Sequence, residues 1–294
     1  MTTERPSPRF ADIDIWDPGE VLEAMIGGQF AAVAAVRTAL PAIERAALAI
    51  EPRLRHGGRL IYAGAGTSGR LAAQDGAELM PTFGWPRDRL LLLIAGGGAA
   101  MLEAIEGAED EVGHDPKLAG VCDRDVMLAV AASGTTPFTL SCLRQAKRCG
   151  ALTIGIANNP GKPLLTEAEH AIFLDTGAEP IAGSTRMNAG TAQRITLSLL
   201  STLVMIRLGH VYRGLMVDMQ ATNSKLTRRK LEMLIYLTGR SEPEVAEALK
   251  GANGNVKVAL LIMQGCSLEQ ARTILERANG ELRAAVELAA RDSA

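Results

Sequence analysis

The chain has 294 residues, enough to bury a full core in one large domain with a smaller one beside it. Apolar residues at 47% and charged residues at 22% exclude a disordered chain, and a net charge of −2 gives no general pull toward nucleic acid or an anionic membrane. The four cysteines, Cys122, Cys142, Cys149 and Cys266, match no zinc spacing and read as reduced thiols in a chain too large to need disulfides.

Residues 1–18 are polar and Pro-rich, an extended arm of the kind that is mobile or packs on a partner subunit. The arm has no apolar signal region, and the chain has no run of about 18 apolar residues, so the sequence predicts a soluble cytoplasmic protein without a membrane span. Residues 19–56 read as two helices, the second opening around Pro41. Strands and helices then alternate. Arg59–Ala63, Leu90–Ile94, Val126–Val130, Leu152–Ile156 and Ala171–Leu174 are short apolar runs, as in strands buried on both faces. Helices are predicted between them at 68–79, 99–109, 137–149 and 162–168. The pattern is α/β, a doubly wound and mostly parallel five-stranded sheet with N-terminal helices.

Residues 184–208 read as one apolar helix capped by Gly209. The last 60 residues hold a repeat: the 26 residues from Leu237 realign on the next 26, with Ser241 on Ser267 and Ala252-Asn253-Gly254 on Ala278-Asn279-Gly280. Each copy is a capped helix, an Asn-Gly turn and a second helix. This predicts a small all-helical domain over 221–294, similar to three-helix ubiquitin-associated bundles, after an arm-and-helix segment over 1–56 and a sheet domain over 57–220.

Two loops at strand ends carry the chemistry. Gly64-Ala65-Gly66-Thr67-Ser68-Gly69 follows the first strand, and Ala132-Ser133-Gly134-Thr135-Thr136-Pro137 follows the third. Hydroxyls and free backbone N–H groups at a helix start make an anion site, although Ser and Thr are also ordinary N-caps. Neither loop is a Walker A motif, and the first lacks the spacing and acidic partner of a dinucleotide fingerprint. A third segment, Gly183-Ser184-Thr185-Arg186-Met187-Asn188-Ala189-Gly190, opens the long helix. There Ser184 and Thr185 could cap the helix or touch a sugar hydroxyl, and Arg186 could pair with an acidic ligand or with Glu179. His56, His114, His170 and His210 show no metal spacing and read as surface or loop residues.

These motifs in this order resemble the sugar isomerase (SIS) fold of phosphosugar proteins. More closely, the strings GAGTSGRLAAQDGAELMPTFG, LIAGG at 93–97, EGAED at 106–110 and MVDMQATNSKL at 216–226, with the TERPSPRFADIDIW arm, resemble the N-acetylmuramic acid 6-phosphate etherase family. The resemblance runs over almost the whole chain. It implies cleavage of the D-lactyl ether of N-acetylmuramate 6-phosphate to N-acetylglucosamine 6-phosphate and D-lactate. Removal of the C2 proton of the open-chain aldehyde, elimination and water addition need two carboxyl groups and neither metal nor nucleotide cofactor. By resemblance these are Glu78, the acid toward the lactyl oxygen, and Glu109, the base at C2. Each is expected to close a helix. Glu78, among Ala77, Leu79, Met80 and Pro81, is expected to be buried with a raised pKa; Glu109 lies in an acidic run that otherwise reads as a solvated face.

The resemblance also implies ligand contacts from Gly66, Thr67, Ser68, Ser133, Gly134, Thr135, Thr136, Ser184, Thr185 and Arg186, with 132–136 as the main phosphate cradle. It implies a homodimer as well, with the Gly190 face of the long helix as a candidate contact. Two rivals on the same fold stay open, an aldose–ketose phosphosugar isomerase and a non-catalytic sugar-phosphate sensor. The chain departs from the family pattern at Leu79-Met80, at Thr135 where Arg is usual, at Asn188 where Lys is common, and at Ile26-Gly27-Gly28-Gln29-Phe30 where Ile-Asn-x-Glu-Asp is usual. Two positive charges expected near an anionic substrate are thus missing, each charge-assisted contact being worth roughly 1.5–3 kcal/mol.

Overall fold

The computed structural model describes residues 1–113, 115–221 and 223–292. The chain forms two compact units, one of residues 1–77 and 87–204, the other of residues 78–86 and 205–294.

The first unit is built on a parallel sheet of five strands: β1 (Leu60–Gly64), β2 (Leu90–Ile94), β3 (Val126–Val130), β4 (Leu152–Ala157) and β5 (His170–Phe173). Their order is β2-β1-β3-β4-β5. The predicted strands are all present, with ends moved by at most one residue. Alternation sends Ile61, Ala63, Met127, Ala129 and Ala157 to one face, where they pack with Leu140, Leu143 and Ala146 of helix α3 (Pro137–Arg148) and Leu164 of α4 (Pro163–Glu167). Small residues let the helices come close: a Cβ on Gly155 would meet the Leu164 carbonyl and stand 3.0 Å from Ala168 Cβ.

Helix α1 (Pro18–Arg55) contacts β3, β4 and β5. The two helices expected over 19–56 are one helix of 38 residues. Pro41 removes a hydrogen bond, but it and Arg37, whose carbonyl is freed, lie on the exposed side, open to solvent. On the buried side Val36, Ala39, Ile43, Ala46, Ile50 and Leu54 run past it without a break in spacing, and that burial carries the helix through. By length and composition α1 and α5 (Asn188–Arg207) could each cross a membrane, although neither holds an unbroken apolar run of that length. The apolar window of α5 is 56% buried in the fold and that of α1 33%.

Helix α2 (Gly66–Phe83) follows β1. Its Gly76 lies against Tyr62 and Leu92, and the Tyr62 hydroxyl donates to Asp75 Oδ2 at 2.8 Å. Burial and the Asp75 carboxylate push the Tyr62 phenol well above its ordinary pKa.

The second unit contains α6 (Ser224–Thr238), α7 (Glu242–Gly251), α8 (Val256–Met263), α9 (Leu268–Arg277) and α10 (Leu282–Asp292). The sequence repeat is α7–α8 followed by α9–α10. Asn253 and Asn279 turn each pair with φ of 52° and 51°, a left-handed conformation that Asn tolerates. Ser241 with Glu244, and Ser267 with Gln270, form matching capping boxes. Lys230 Nζ donates to Gly254 O and Lys257 Nζ to Gly280 O, so each turn is also held by a lysine from an earlier helix. His210 lies in the loop after α5, within the surface-or-loop expectation, and is partly buried. Its Nδ1 lies 2.8 Å from Asp218 Oδ2, which also takes Lys257 Nζ at 2.5 Å, and its ring meets Trp85 edge-on. His114 lies outside the described residues. All four cysteines are free, and burial pushes the Cys142 thiol up to about 12.

Candidate functional site

In a parallel sheet of this order the crevice at the carboxyl ends opens where the winding reverses, between β1 and β3. The two hydroxyl loops leave those two strands. In the first, the glycines have distinct tasks. Gly66 takes φ of 52° and starts α2, whereas Gly64 and Gly69 press backbone on backbone: a Cβ on Gly69 would lie 2.6 Å from Gly64 O, and one on Gly64 2.9 Å from Gly69 N. The N-terminus of α2 therefore sits directly over the end of β1, with Thr67 half-buried and Ser68 buried.

In the second loop Ser133 Oγ accepts from Thr135 N at 3.1 Å and lies 3.2 Å from Thr136 Oγ1. This ties the Ser133 and Thr136 hydroxyls and the Thr135 backbone together around the first turn of α3. Gly134 has φ of 69°, and a Cβ there would stand 2.7 Å from Lys162 Cβ, so its contribution is a turn that no larger residue fits.

The third segment differs from expectation. The long helix starts at Asn188 rather than Ser184 because Glu179 caps it: its carboxylate accepts from Asn188 N at 2.8 Å and Ala189 N at 2.9 Å. Burial pushes the Glu179 carboxyl up, against the two N–H groups that favour its anion. Those groups hold Glu179, and Arg186 is exposed. Gly190 faces inward, where a Cβ would lie 3.1 Å from Thr185 O and 3.5 Å from Thr67 Cγ2, so this face is covered by the chain's own fold and is not available to a second subunit.

The helix expected over 99–109 is absent. Gly96, Gly97 and Gly107 take φ of 82°, 71° and 72°, and only short 3-10 turns form at Gly97–Met101 and Ala108–Asp110. Glu109 stands on the second turn. Its neighbour Ala108 is buried with Ala65, Ala95 and partly buried Phe138, which anchors the turn beside the loops after β1 and β3. Arg70 ties the preceding segment to α2, donating to Ala100 O and Glu103 O at 2.8 Å each.

These elements enclose a cleft of about 430 Å³, within the range of small-molecule sites. Gly66, Thr67, Ser68, Ser133, Thr135, Thr136, Thr185 and Glu109 line it. Gly134, Ser184, Arg186 and Glu78 are not among its lining residues. Glu78, expected to be buried and to close its helix, is exposed, and α2 runs on past Pro81 to Phe83. The lining also includes Asp110 of the acidic run, Gly183 of the third segment and Glu4 of the amino-terminal arm. No Lys or Arg is among the lining residues, and hydroxyls, backbone N–H groups and two helix N-termini offer donors to an anion beside Met1. Among the described residues no cluster of His, Cys, Asp and Glu could hold a metal ion.

A glucokinase regulatory protein N-terminal SIS domain model matches residues 42–147, and a SIS domain model matches residues 98–208. The chain is 46% identical over 285 residues to an N-acetylmuramic acid 6-phosphate etherase of Deinococcus radiodurans, covering 96% of this chain and 93% of that one. It is 42% identical over 291 residues to the protein of the same name in Geobacillus thermodenitrificans, covering 98% and 99%. The chain belongs to the N-acetylmuramic acid 6-phosphate etherase family.

Two departures from the etherase family pattern become one in the structure. Gln29 Nε2 donates to Asn188 Oδ1 at 3.3 Å, and Thr191 Oγ1 donates to Gln29 Oε1. Gln29 stands where the family pattern has Glu, and Asn188 where it has Lys. Two neutral amides thus pair here, where the resemblance places a carboxylate and an ammonium. Asn188→Lys alone is expected to cost about 3 kcal/mol, because the ammonium is brought to a nearly buried position without its counter-charge. Adding Gln29→Glu should recover most of that loss in a double-mutant cycle of urea midpoints. Full stability of the single variant would show that residue 188 does not need residue 29.

Proposed function

We propose that the chain is a lyase that cleaves the D-lactyl ether of N-acetylmuramate 6-phosphate, in amino-sugar metabolism and cell-wall sugar recycling. The observation that carries this reading is that Glu109 lines one cleft with both hydroxyl loops at the switch point of the sheet. Ser133, Thr135 and Thr136 at the start of α3 hold the phosphate, and Thr67 and Ser68 contact the sugar. Glu109 takes the C2 proton of the open-chain aldehyde. The electron pair then forms the C2–C3 double bond as the C3–O bond breaks, and Glu78 protonates the departing lactate oxygen. Water adds its hydroxyl to C3 and a proton to C2, which gives N-acetylglucosamine 6-phosphate. Every step is a proton transfer, an elimination or an addition of water.

The same reading makes the protein a cytoplasmic homodimer. Four free cysteines fit a reducing compartment. Leu22, Ile26, Phe30, Val33 and Leu40 form an exposed stripe at helical spacing along α1, with Phe30 71% exposed. A second copy would cover that stripe. The regulatory-domain match over 42–147 keeps a non-catalytic sensor as the rival.

Incubation with N-acetylmuramate 6-phosphate in deuterium oxide separates the readings. The expected result is D-lactate together with deuterium at C2 of the product. Binding without turnover would replace the etherase by a sensor, and C2 exchange with ketose formation but no lactate would replace it by an isomerase.

A further inference from the structure

The amino-terminal arm is built into the cleft. Thr3 is fully buried, and its Oγ1 accepts from Asn159 Nδ2 at 2.9 Å. Asn159 is itself fully buried. Its Oδ1 accepts from Thr2 N at 2.6 Å, and its Nδ2 also donates to Ala132 O at 2.9 Å, next to Ser133. On the other side Gly183 N donates to Thr3 O at 2.9 Å. Residues 2–4 thus bridge the loop after β3 and the loop that carries Thr185. The next side chain, Glu4, lines the cleft beside Gly183, where a Cβ would come within 2.9 Å of Glu4 Oε2.

We propose that Glu4 is a substrate-contact residue, held by Thr3 and Asn159, whose carboxylate accepts a hydrogen bond from a neutral donor of the sugar, a hydroxyl or the acetamido N–H. The inference deepens the reading of this cleft as a phosphosugar site and rests on it. An ionised carboxylate has only acceptors, so it complements a hydroxyl or an amide N–H and repels a phosphate or a lactyl carboxylate. The opposite loops offer donors and helix N-termini, which suit the phosphate. The two sides together give the ligand one orientation, with its phosphate away from Glu4 and a neutral group against it. Thr3 acts through Glu4 and is a positioning residue.

The test is calorimetric titration of N-acetylglucosamine 6-phosphate and, separately, of inorganic phosphate. Glu4→Gln is expected to weaken the sugar phosphate by tenfold or more and to leave inorganic phosphate unchanged. Thr3→Val, checked for unchanged folding, should reproduce that selective loss, and Thr3→Ser should restore binding. In lactate assays the loss should fall on KM more than on kcat. Wild-type affinity for the sugar phosphate in Glu4→Gln would overturn the proposal while leaving lactate release, and so the etherase reading, intact. Conversely, Glu4-dependent sugar-phosphate binding in a protein that releases no lactate would support the role of Glu4 and reject the etherase. Failure of the wild type to bind N-acetylglucosamine 6-phosphate would overturn both.

Discussion

Glu109→Gln is expected to lower kcat for D-lactate release by about 10²–10⁴-fold, the usual contribution of a positioned general base. The substitution removes the charge and the basic oxygen while keeping size and shape. Glu109 is exposed on its 3-10 turn, and the turn is held by Ala108 in its small apolar cluster, so stability should be unchanged. The decisive readout is deuterium at C2. If Glu109 is the base, its amide variant loses both lactate release and exchange of the C2 proton, because the first step has stopped. Glu78→Gln should behave differently: with the acid gone but the base present, exchange continues while the ether bond survives. Equal exchange in the two variants would reject this division of roles, and full lactate release by either would remove that glutamate from the mechanism.

The sheet was legible because its strands are bounded apolar runs, and a strand buried on both faces needs no longer-range information to declare itself. The two hydroxyl loops were legible for a similar reason, since glycine and hydroxyl residues cluster at the strand ends that a parallel sheet turns into a binding crevice. What failed required knowledge of partners distant in sequence. Pro41 signals a helix start, yet the apolar face against β3–β5 overrides it. Ser184 and Thr185 look like caps, but Glu179 reaches the helix end first. Gly190 looks like a place for another molecule to approach, and Thr67 of the same chain occupies it. The missing Lys at 188 reads as a lost substrate contact until Gln29 is found beside it, 159 residues away in sequence. The arm is the largest omission. Pro-rich and polar composition describes a mobile segment well, and nothing local to Thr3 announces that Asn159 will bury it. The Asn158-Asn159 pair at the end of β4 was the available signal, two amides placed where the other strand ends carry ligand loops.

Glu78 raises the remaining question of which copy of the chain it serves. Helix α2 begins at the cleft with Thr67 and Ser68 and reaches Glu78 ten residues later. At 1.5 Å per residue that is about 15 Å along the helix axis, longer than the hexose that Thr67 and Ser68 contact on this reading. Glu78 is also exposed. On the dimeric reading the acid is therefore supplied by the second copy, and each site pairs Glu109 of one chain with Glu78 of the other. Neither Glu78→Gln nor Glu109→Gln dimers should then release lactate alone, but mixing the two should restore activity. Random subunit exchange makes half the dimers hybrids, and in a two-fold symmetric hybrid one site has both glutamates intact while the other has neither, so recovery should approach about a quarter of wild type. If both glutamates came from one chain, every site in the hybrid would still lack one of them, and mixing would recover nothing. That outcome would return Glu78 to its own subunit's chemistry and leave the α1 stripe as a purely structural contact. Recovery near the expected fraction would instead make dimerisation a condition of catalysis, with Phe30→Asp in the exposed stripe lowering activity and dimer content together.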